Sequence, residues 1–171
     1  RRQRQMCIRD RTADELKKYN AWYVGDKNKK TIYLTFDCGY ENGNSSAILD
    51  ALKKHNAPAT FFVVGHFLES APEMVKRMVE DGHTVGNHTY HHVQLNKLNE
   101  TKAREEILKT NNLIYETTGV YPLYLRPPFG AWKKNLELCV EMLPVFWTID
   151  TLDWKVQNTE KIVRTCLLYT S

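Results

Sequence analysis

The sequence predicts an α/β fold in which parallel strands form a barrel with helices packed outside. Strand-like and helix-like segments alternate through most of residues 31–150, and this alternation is typical of a parallel sheet covered by helices. Four polar residues follow different predicted strands, namely Asp37, His88, Arg126 and Asp150. The alternation also fits an open doubly wound sheet. The strand-end residues favour the barrel, because barrel active sites are assembled at that end.

The first half of the alternation begins with a strand at residues 31–36, TIYLTF, where apolar side chains alternate and Asp37 ends the pattern. Residues 45–55 repeat apolar side chains at helical spacing, so a helix follows. A second strand is predicted at residues 59–65, ATFFVVG, because a continuous apolar run suits a strand buried on both faces.

The second helix is predicted to begin at a capping box formed by Ser70 and Glu73. Gly82 stands where that helix should end, since glycine adopts the left-handed conformation that commonly follows a helix. A short strand at residues 84–86 then leads into His88.

The third helix is predicted over residues 99–118, where apolar residues recur at helical spacing until Gly119 closes it. Two further strands are predicted at residues 123–126 and 145–149, the second of which ends on Asp150.

The net charge of the chain is concentrated at its N-terminus. The first eleven residues carry the whole formal charge of +4, through Arg1, Arg2, Arg4, Arg9 and Arg11 against Asp10. The remaining residues hold 19 side chains of each sign. Nucleic-acid binding is therefore not expected, because it requires a basic patch that survives folding. No apolar run reaches the length of about 18 residues that predicts a membrane span.

The two ends of the chain, RRQRQMCIRDR and CLLYTS, resemble translated adapter or vector sequence. We therefore expect residues 12–165 to form the domain and residues 1–11 and 166–171 to be non-native. A natural basic arm is the alternative for the first segment. Between the ends, Cys38 and Cys139 are too few to define a disulfide framework.

His88 and His92 are spaced four residues apart. On a turn leading into a helix, that spacing projects two imidazoles to one side, where they can bind one metal ion. A solvated loop fits the pair equally well, and a third ligand from another strand end would strengthen the metal interpretation, because catalytic zinc typically has three protein ligands. The isolated histidines His55, His66 and His83 are interpreted as surface or helix-end residues.

Four motifs in order resemble those of the NodB-type polysaccharide deacetylases, carbohydrate esterase family 4. They are TFDCG at 35–39, HTYHH at 88–92, RPPFG at 126–130 and DTLDW at 150–154. The longer string IYLTFDCGYENG, with WYVGD ahead of it, is most similar to the branch that forms the muramic δ-lactam of spore cortex peptidoglycan. The resemblance implies a distorted (β/α) barrel of the NodB deacetylase type, truncated at its C-terminus.

The resemblance implies that Asp37 is the general base and that His88 and His92 hold a divalent metal. The family's third ligand is an aspartate at the position of Cys38. A thiolate there would favour zinc. Alternatively, Cys38 is only a small side chain beside a metal held by two histidines and waters. His91 lies between the two ligands and is expected to face away.

The remaining roles come from the third and fourth motifs. The resemblance implies that Arg126 pairs with the base carboxylate and that the backbone N–H of Phe129, usually a tyrosine in the family, donates to the developing oxyanion. It implies that Asp153 tunes a catalytic histidine and that Trp154 walls the sugar site, although a tryptophan there also fits a core position. The tuned histidine belongs to a Leu-x-x-His motif, and no histidine follows His92 in this chain.

The expected reaction is the metal-assisted hydrolysis of an N-acetyl group on an amino sugar. By resemblance the substrate is N-acetylmuramic acid of peptidoglycan and the enzyme faces the cell wall. The alternatives are a deacetylase of N-acetylglucosamine in peptidoglycan or chitin, and a catalytically impaired glycan-binding relative. A cysteine hydrolase is disfavoured, because nothing orders an imidazole beside Cys38 except the pair assigned to metal. Without the Leu-x-x-His motif, which is the family's fifth, the 171-residue chain is expected to be inactive and poorly stable.

Overall fold

A parallel sheet of five strands organises the computed structural model, which describes residues 16–17, 20–26, 28–133 and 140–167. The strands are β1 (Leu34–Cys38), β2 (Ala59–Val63), β3 (Thr84–Asn87), β4 (Tyr124–Leu125) and β5 (Leu143–Pro144). Their order in the sheet follows their order in the chain. A doubly wound sheet reverses its strand order, whereas a barrel adds strands in sequence. The predicted α/β class is confirmed, and the strand order agrees with a distorted barrel.

Helices occupy most of the connections between strands. They are α1 (Ser45–Lys54), α2 (Gly65–Ser70), α3 (Pro72–Glu80), α4 (Glu100–Thr118) and α5 (Thr159–Leu167), with 3-10 turns at Leu95–Lys97 and Pro128–Gly130. None of the helices in the described ranges is long and apolar enough to cross a membrane.

The strand register brings the carboxyl ends of neighbouring strands to one edge of the sheet. Asp37 on β1 lies opposite Phe62 on β2, which in turn lies opposite Gly86 on β3. The next contact joins Asn87 to Leu125 on β4. Residues that directly follow β3 and β4 therefore emerge close to Asp37.

The sheet is covered by two apolar clusters. The first contains buried residues of β2 and of α1, α2 and α3, with Phe61 and Met78 among its fully buried members. The second surrounds Leu125 and includes Leu95, Ile107 and Trp132. Helix α4 belongs to both clusters, because Ile107 lies in the second and Ile114 in the first.

The predicted capping box at Ser70 is wrong. Ser70 is the last residue of α2, and its Oγ donates to the carbonyl of His66 at 2.8 Å. Helix α3 begins at Pro72 with Ala71 as N-cap and without a side-chain cap. A proline at the first helical position needs no partner for a backbone N–H, so the helix starts there without the serine.

The last predicted strand, residues 145–149, is displaced. The strand is Leu143–Pro144, and Val145 forms only an isolated parallel bridge with Trp22. Val145 N–H donates to the carbonyl of Leu125, where β4 ends. Beyond Arg126 the chain enters the 3-10 turn Pro128–Gly130, and the Pro127 carbonyl accepts the Gly130 N–H, so β4 does not continue beside residues 147–149. Asp150 therefore does not stand at a strand end.

The interpretation of His83 as a surface or helix-end residue is also wrong. Its exposed fraction is 8%, its Nδ1 accepts the backbone N–H of Ala59 at 3.3 Å, and its ring meets Phe61 edge-on. His83 directly precedes β3, and this position brings its ring against β2. The residue type alone does not indicate such a burial.

Candidate active site

Asp37, His88 and Arg126 meet at the carboxyl edge of the sheet. Arg126 Nη1 donates to Asp37 Oδ1 at 2.8 Å, and His88 Nε2 lies 3.7 Å from Asp37 Oδ2. The three residues come from the ends of β1, β3 and β4, which the parallel register places side by side. The cluster lies where the sequence predicted a site.

The Arg126 guanidinium is fixed by several contacts at once. It is 3% exposed, and its Nε and Nη2 donate to the carbonyls of Val145 and Phe146 at 3.4 and 3.3 Å. Its charged group also lies 4.3 Å from the centre of the Phe62 ring. A buried cation needs such partners because its desolvation is costly. The ion pair orients the Asp37 carboxylate, whose side chain stays 40% exposed and accessible to a reactant.

The protonation of His88 follows from its partner. His88 Nδ1 lies 2.7 Å from the carbonyl oxygen of Arg126, and a carbonyl only accepts, so Nδ1 donates and Nε2 keeps the lone pair. Burial lowers the pKa of His88, while Asp37 opposes that shift. A neutral imidazole with one N–H held by a backbone carbonyl is the usual state of a metal-ligating histidine.

His92 lies beside His88, with ring centroids 4.9 Å apart. Burial lowers the pKa of His92, and the neighbouring His88 adds to this effect. The two rings converge through a loop instead of the predicted turn into a helix, since Thr89 and His92 adopt left-handed φ angles of 65° and 54°. The pairing was predicted, and the backbone that achieves it was not.

Asn87 shapes this loop and was missed from the sequence. It is fully buried at the end of β3, and its Oδ1 accepts the Thr89 N–H at 2.7 Å. Its Nδ2 donates to Asn111 Oδ1 and to the Ile107 carbonyl, both on α4, at 2.7 and 2.8 Å. A polar residue directly after apolar strand positions was the available signal.

Cys38 is not gathered with the two histidines. It packs with Phe36 against the first apolar cluster, whereas the preceding Asp37 contacts Arg126, because successive side chains of a strand alternate between faces. Burial, followed by the charges of Asp37 and Glu41, raises the pKa of the Cys38 thiol to about 12. Across the described ranges, no three His, Cys, Asp or Glu side chains are arranged to hold a metal ion.

Phe129 presents its backbone at the same edge. It has a left-handed φ of 60°, and its ring contacts His92 with centroids 4.8 Å apart. The following amides of Gly130 and Ala131 donate to Pro127 and Pro128 at 3.0 Å. No described group accepts a hydrogen bond from the Phe129 N–H, which leaves that donor available to a ligand.

Asp153 and Trp154 lie on an exposed turn. Thr151 Oγ1 donates to Asp153 Oδ1 at 2.6 Å, so the carboxylate is engaged within its own turn. Trp154 is 66% exposed and is therefore not a core residue. The structure does not pair Asp153 with a histidine.

Two of the donors at the edge of the sheet suit a divalent cation. His88 and His92 are adjacent imidazoles with lowered pKa values, and zinc accepts nitrogen ligands. The backbone carbonyl that fixes His88 supplies the outer contact that such ligands commonly have.

Comparison with known proteins identifies the family. Residues 24–145 match the family model described as polysaccharide deacetylase. The chain belongs to the polysaccharide deacetylase family. The match covers the strands and loops that carry Asp37, His88, His92 and Arg126.

Among members of the polysaccharide deacetylase family, the chain is 43% identical over 147 residues to the peptidoglycan-N-acetylmuramic acid deacetylase PdaA of Bacillus subtilis (strain 168). That match covers 84% of this chain and 56% of the relative. The solved structure of Bacillus subtilis PdaA, described as a family 4 carbohydrate esterase, superposes with a TM-score of 0.80 at 40% identity, over 86% of this chain and 64% of that one.

Two further members differ in their described activity. A peptidoglycan-N-acetylglucosamine deacetylase of Bacillus cereus is 39% identical over 155 residues, 89% of this chain and 56% of the relative. A family 4 carbohydrate esterase pseudoenzyme from Bacillus anthracis is 30% identical with a TM-score of 0.81, over 85% of this chain and 53% of that one. The chain spans about half the length of the curated relatives it matches.

Proposed function

We propose that this chain carries the catalytic groups of a peptidoglycan de-N-acetylase that hydrolyses the N-acetyl group of N-acetylmuramic acid. The single observation that carries the proposal is the cluster in which Arg126 holds Asp37 beside His88. Membership of the family and the described activities of PdaA and the Bacillus cereus relative support it. Both names specify peptidoglycan, so we further propose a location that faces the cell wall.

The proposed cofactor is a divalent metal, zinc, held by His88 and His92. Cys38 is the candidate third ligand, but its side chain packs against the first apolar cluster and must turn toward the imidazoles to bind the ion. When bound, such an ion lowers the pKa of water and polarises a carbonyl group. The chain's own contribution to this site is to keep both imidazoles neutral by burial and to fix His88 through the Arg126 carbonyl.

Asp37 is the proposed general base. Its Oδ1 is bonded to Arg126, which leaves Oδ2, on the side of His88, to take a proton from the attacking water. Arg126 does not reach the substrate in this scheme. Its role is to hold the carboxylate in one orientation, which its carbonyl contacts make rigid.

The substrate side is proposed to involve Phe129, Trp154 and Asp153. The Phe129 N–H lacks a described acceptor and would donate to the oxyanion that develops on the acetamide. The exposed Trp154 ring offers a face for a sugar. Asp153 is proposed, by the family resemblance, to tune a catalytic histidine, and its exposed turn leaves it accessible to such a partner.

The metal part of the proposal is tested by substituting both ligands. His88→Ala with His92→Ala should abolish stoichiometric zinc binding, measured by metal analysis of the purified protein. His55→Ala with His66→Ala removes two exposed histidines outside the cluster and is the matched control. Unchanged zinc content in the ligand variant would refute the site. Acetate release from defined muramic and glucosamine glycans separates the two substrates.

A second candidate is a catalytically impaired glycan-binding relative. The observation that favours it is Cys38, which occupies the position of the family's aspartate ligand and packs against the apolar core. The similarity to a described pseudoenzyme is consistent with this alternative. Such a protein would bind peptidoglycan and release no acetate in the presence of zinc.

A further inference from the structure

The loop that carries the two imidazoles is clamped by a carboxylate of α4. The backbone N–H of His91 donates to Glu106 Oε2 at 2.9 Å, and His91 Nδ1 lies 2.6 Å from Glu106 Oε1. One carboxylate thus takes two donors from a single residue. The Glu106 side chain is only 15% exposed, whereas that of His91 is 63% exposed. The largely buried Glu106 on α4 therefore holds the exposed His91 in place.

The adjacent Tyr90 is fixed from two sides. Its carbonyl accepts the Gly65 N–H at 3.1 Å, and a Cβ added at Gly65 would lie 2.2 Å from Tyr90 Cδ2. Lys109 Nζ lies 3.5 Å from the centre of the Tyr90 ring. Lys109 follows Glu106 by three residues, so one face of α4 holds both Tyr90 and His91.

Tyr90 and His91, which make these contacts, lie between two residues with strained backbone angles. Thr89 and His92 both have left-handed φ angles, which β-branched and bulky residues rarely adopt without support from their surroundings. Asn87 supports the first of them through the Thr89 N–H. Glu106 is bonded to the residue directly before the second, and His92 is a proposed metal ligand.

We propose that Glu106 is a positioning residue for the metal-binding imidazole pair. It acts through His91 to hold the backbone at His92, so that the His92 ring stays beside His88. Glu106 itself does not contact the metal. The inference rests on the proposed zinc site and adds a residue of α4 that none of the four sequence motifs contains.

The proposal is tested by zinc affinity in the full 171-residue chain, measured by competition with a chromophoric chelator at constant pH. Glu106→Gln keeps the side-chain size but loses the charge and one acceptor, and Glu106→Ala loses both acceptors. Outer contacts of metal ligands typically contribute about 10- to 100-fold to affinity. We expect the dissociation constant to rise in the order wild type, Glu106→Gln, Glu106→Ala, with Glu106→Asp recovering part of the loss.

Glu105→Gln and Glu105→Ala are the matched controls, because Glu105 is exposed on the same helix and carries the same charge. They should keep wild-type affinity. The absorption spectrum of bound cobalt(II) should change in the Glu106 variants and not in the Glu105 variants, which a general loss of stability would not produce. Equal zinc affinity and equal cobalt spectra in the Glu106 and Glu105 variants would overturn this inference and leave the proposed metal site standing. A wild-type chain that binds no zinc would overturn the metal site and the inference together.

Discussion

At the scale of single residues, Arg126 connects the parts of the site by two different groups. Its side chain binds the Asp37 carboxylate, and its backbone carbonyl accepts from His88 Nδ1. The orientation of the Asp37 carboxylate and the tautomer of His88 therefore depend on the same residue. Only the first of these contacts depends on the arginine side chain.

The identity of residue 38 is expected to change zinc affinity. The thiol of Cys38 has a pKa of about 12 and must lose its proton to bind a metal. A carboxylate has an ordinary pKa of about 4 and competes far less with protons at neutral pH. We therefore expect Cys38→Asp to bind zinc more tightly than the wild type, as measured by calorimetry at pH 7.

Cys38→Ala serves as the control for this prediction, because it removes the donor without adding charge. If Cys38 is a ligand, the wild-type affinity rises with pH more steeply than that of the alanine variant. Weaker zinc binding by Cys38→Asp than by the wild type would contradict the prediction and would assign the thiol a role of its own.

The buried His83 is expected to make stability sensitive to acid. Burial lowers the pKa of His83 below its ordinary value of 6.5, with Asp81 opposing the shift. The unfolded chain then binds the proton more readily, so the free energy of unfolding is fully retained above pH 6.5 and falls as the pH drops below it. Urea midpoints measured from pH 8 to pH 5 should decline less steeply for His83→Gln than for the wild type.

His88 and His92 remain in both proteins, so their own lowered pKa values cancel in this comparison. His55→Gln replaces an exposed histidine at the end of α1 and should follow the wild-type curve. Identical slopes for His83→Gln and the wild type would mean that protonation of His83 is not linked to unfolding.

At the scale of elements, the accuracy of the sequence predictions depended on how local the determining signal was. Helix α4 was predicted within one residue at its start and exactly at its end, because Asn99 caps it through the Lys102 N–H and Gly119 closes it with a φ of 73°. The bounds of β5 are set by its partner β4, which no local pattern encodes. Helix α2 was missed because its six residues, Gly65–Ser70, are too few to show a helical repeat of apolar side chains.

The same distinction applies to the candidate site. Residues at strand ends could be predicted, since a parallel sheet collects them whatever the details of packing. The loop conformation between His88 and His92 could not, because it depends on Asn87 and Glu106 reaching across to α4. Cys38 lies on the face of β1 that the helices cover. The motif could not predict this, because it contains no residue of those helices.

The N-cap of α4 is expected to stabilise the fold measurably. Asn99 Oδ1 accepts the Lys102 N–H at 2.8 Å, and replacing such a cap by alanine typically costs about 0.5–2 kcal/mol. Asn99→Ala should therefore lower the free energy of unfolding by about 1 kcal/mol in urea titrations. Asn112→Ala changes an exposed residue inside the same helix and should be neutral or slightly stabilising. Equal effects of the two substitutions would rule out the cap as the source.

At the scale of the whole molecule, the strand β1 has a paired side and an open side. It pairs with β2, and in the described ranges no strand pairs with its other edge. Beside it lies an apolar groove of about 330 Å³ whose lining includes Leu34, Phe36 and Ile48. An open edge next to exposed apolar surface favours association between chains.

The sequential order of the strands bears on how the protein is made. Each strand pairs with the one synthesised just before it, so the sheet can grow in step with elongation of the nascent chain. Asp37 enters this growing sheet first, and its partner Arg126 follows 89 residues later. The ion pair between Asp37 and Arg126 can therefore form only after β4 has been synthesised. The carboxylate is placed early in the sheet, and the partner that orients it is added late.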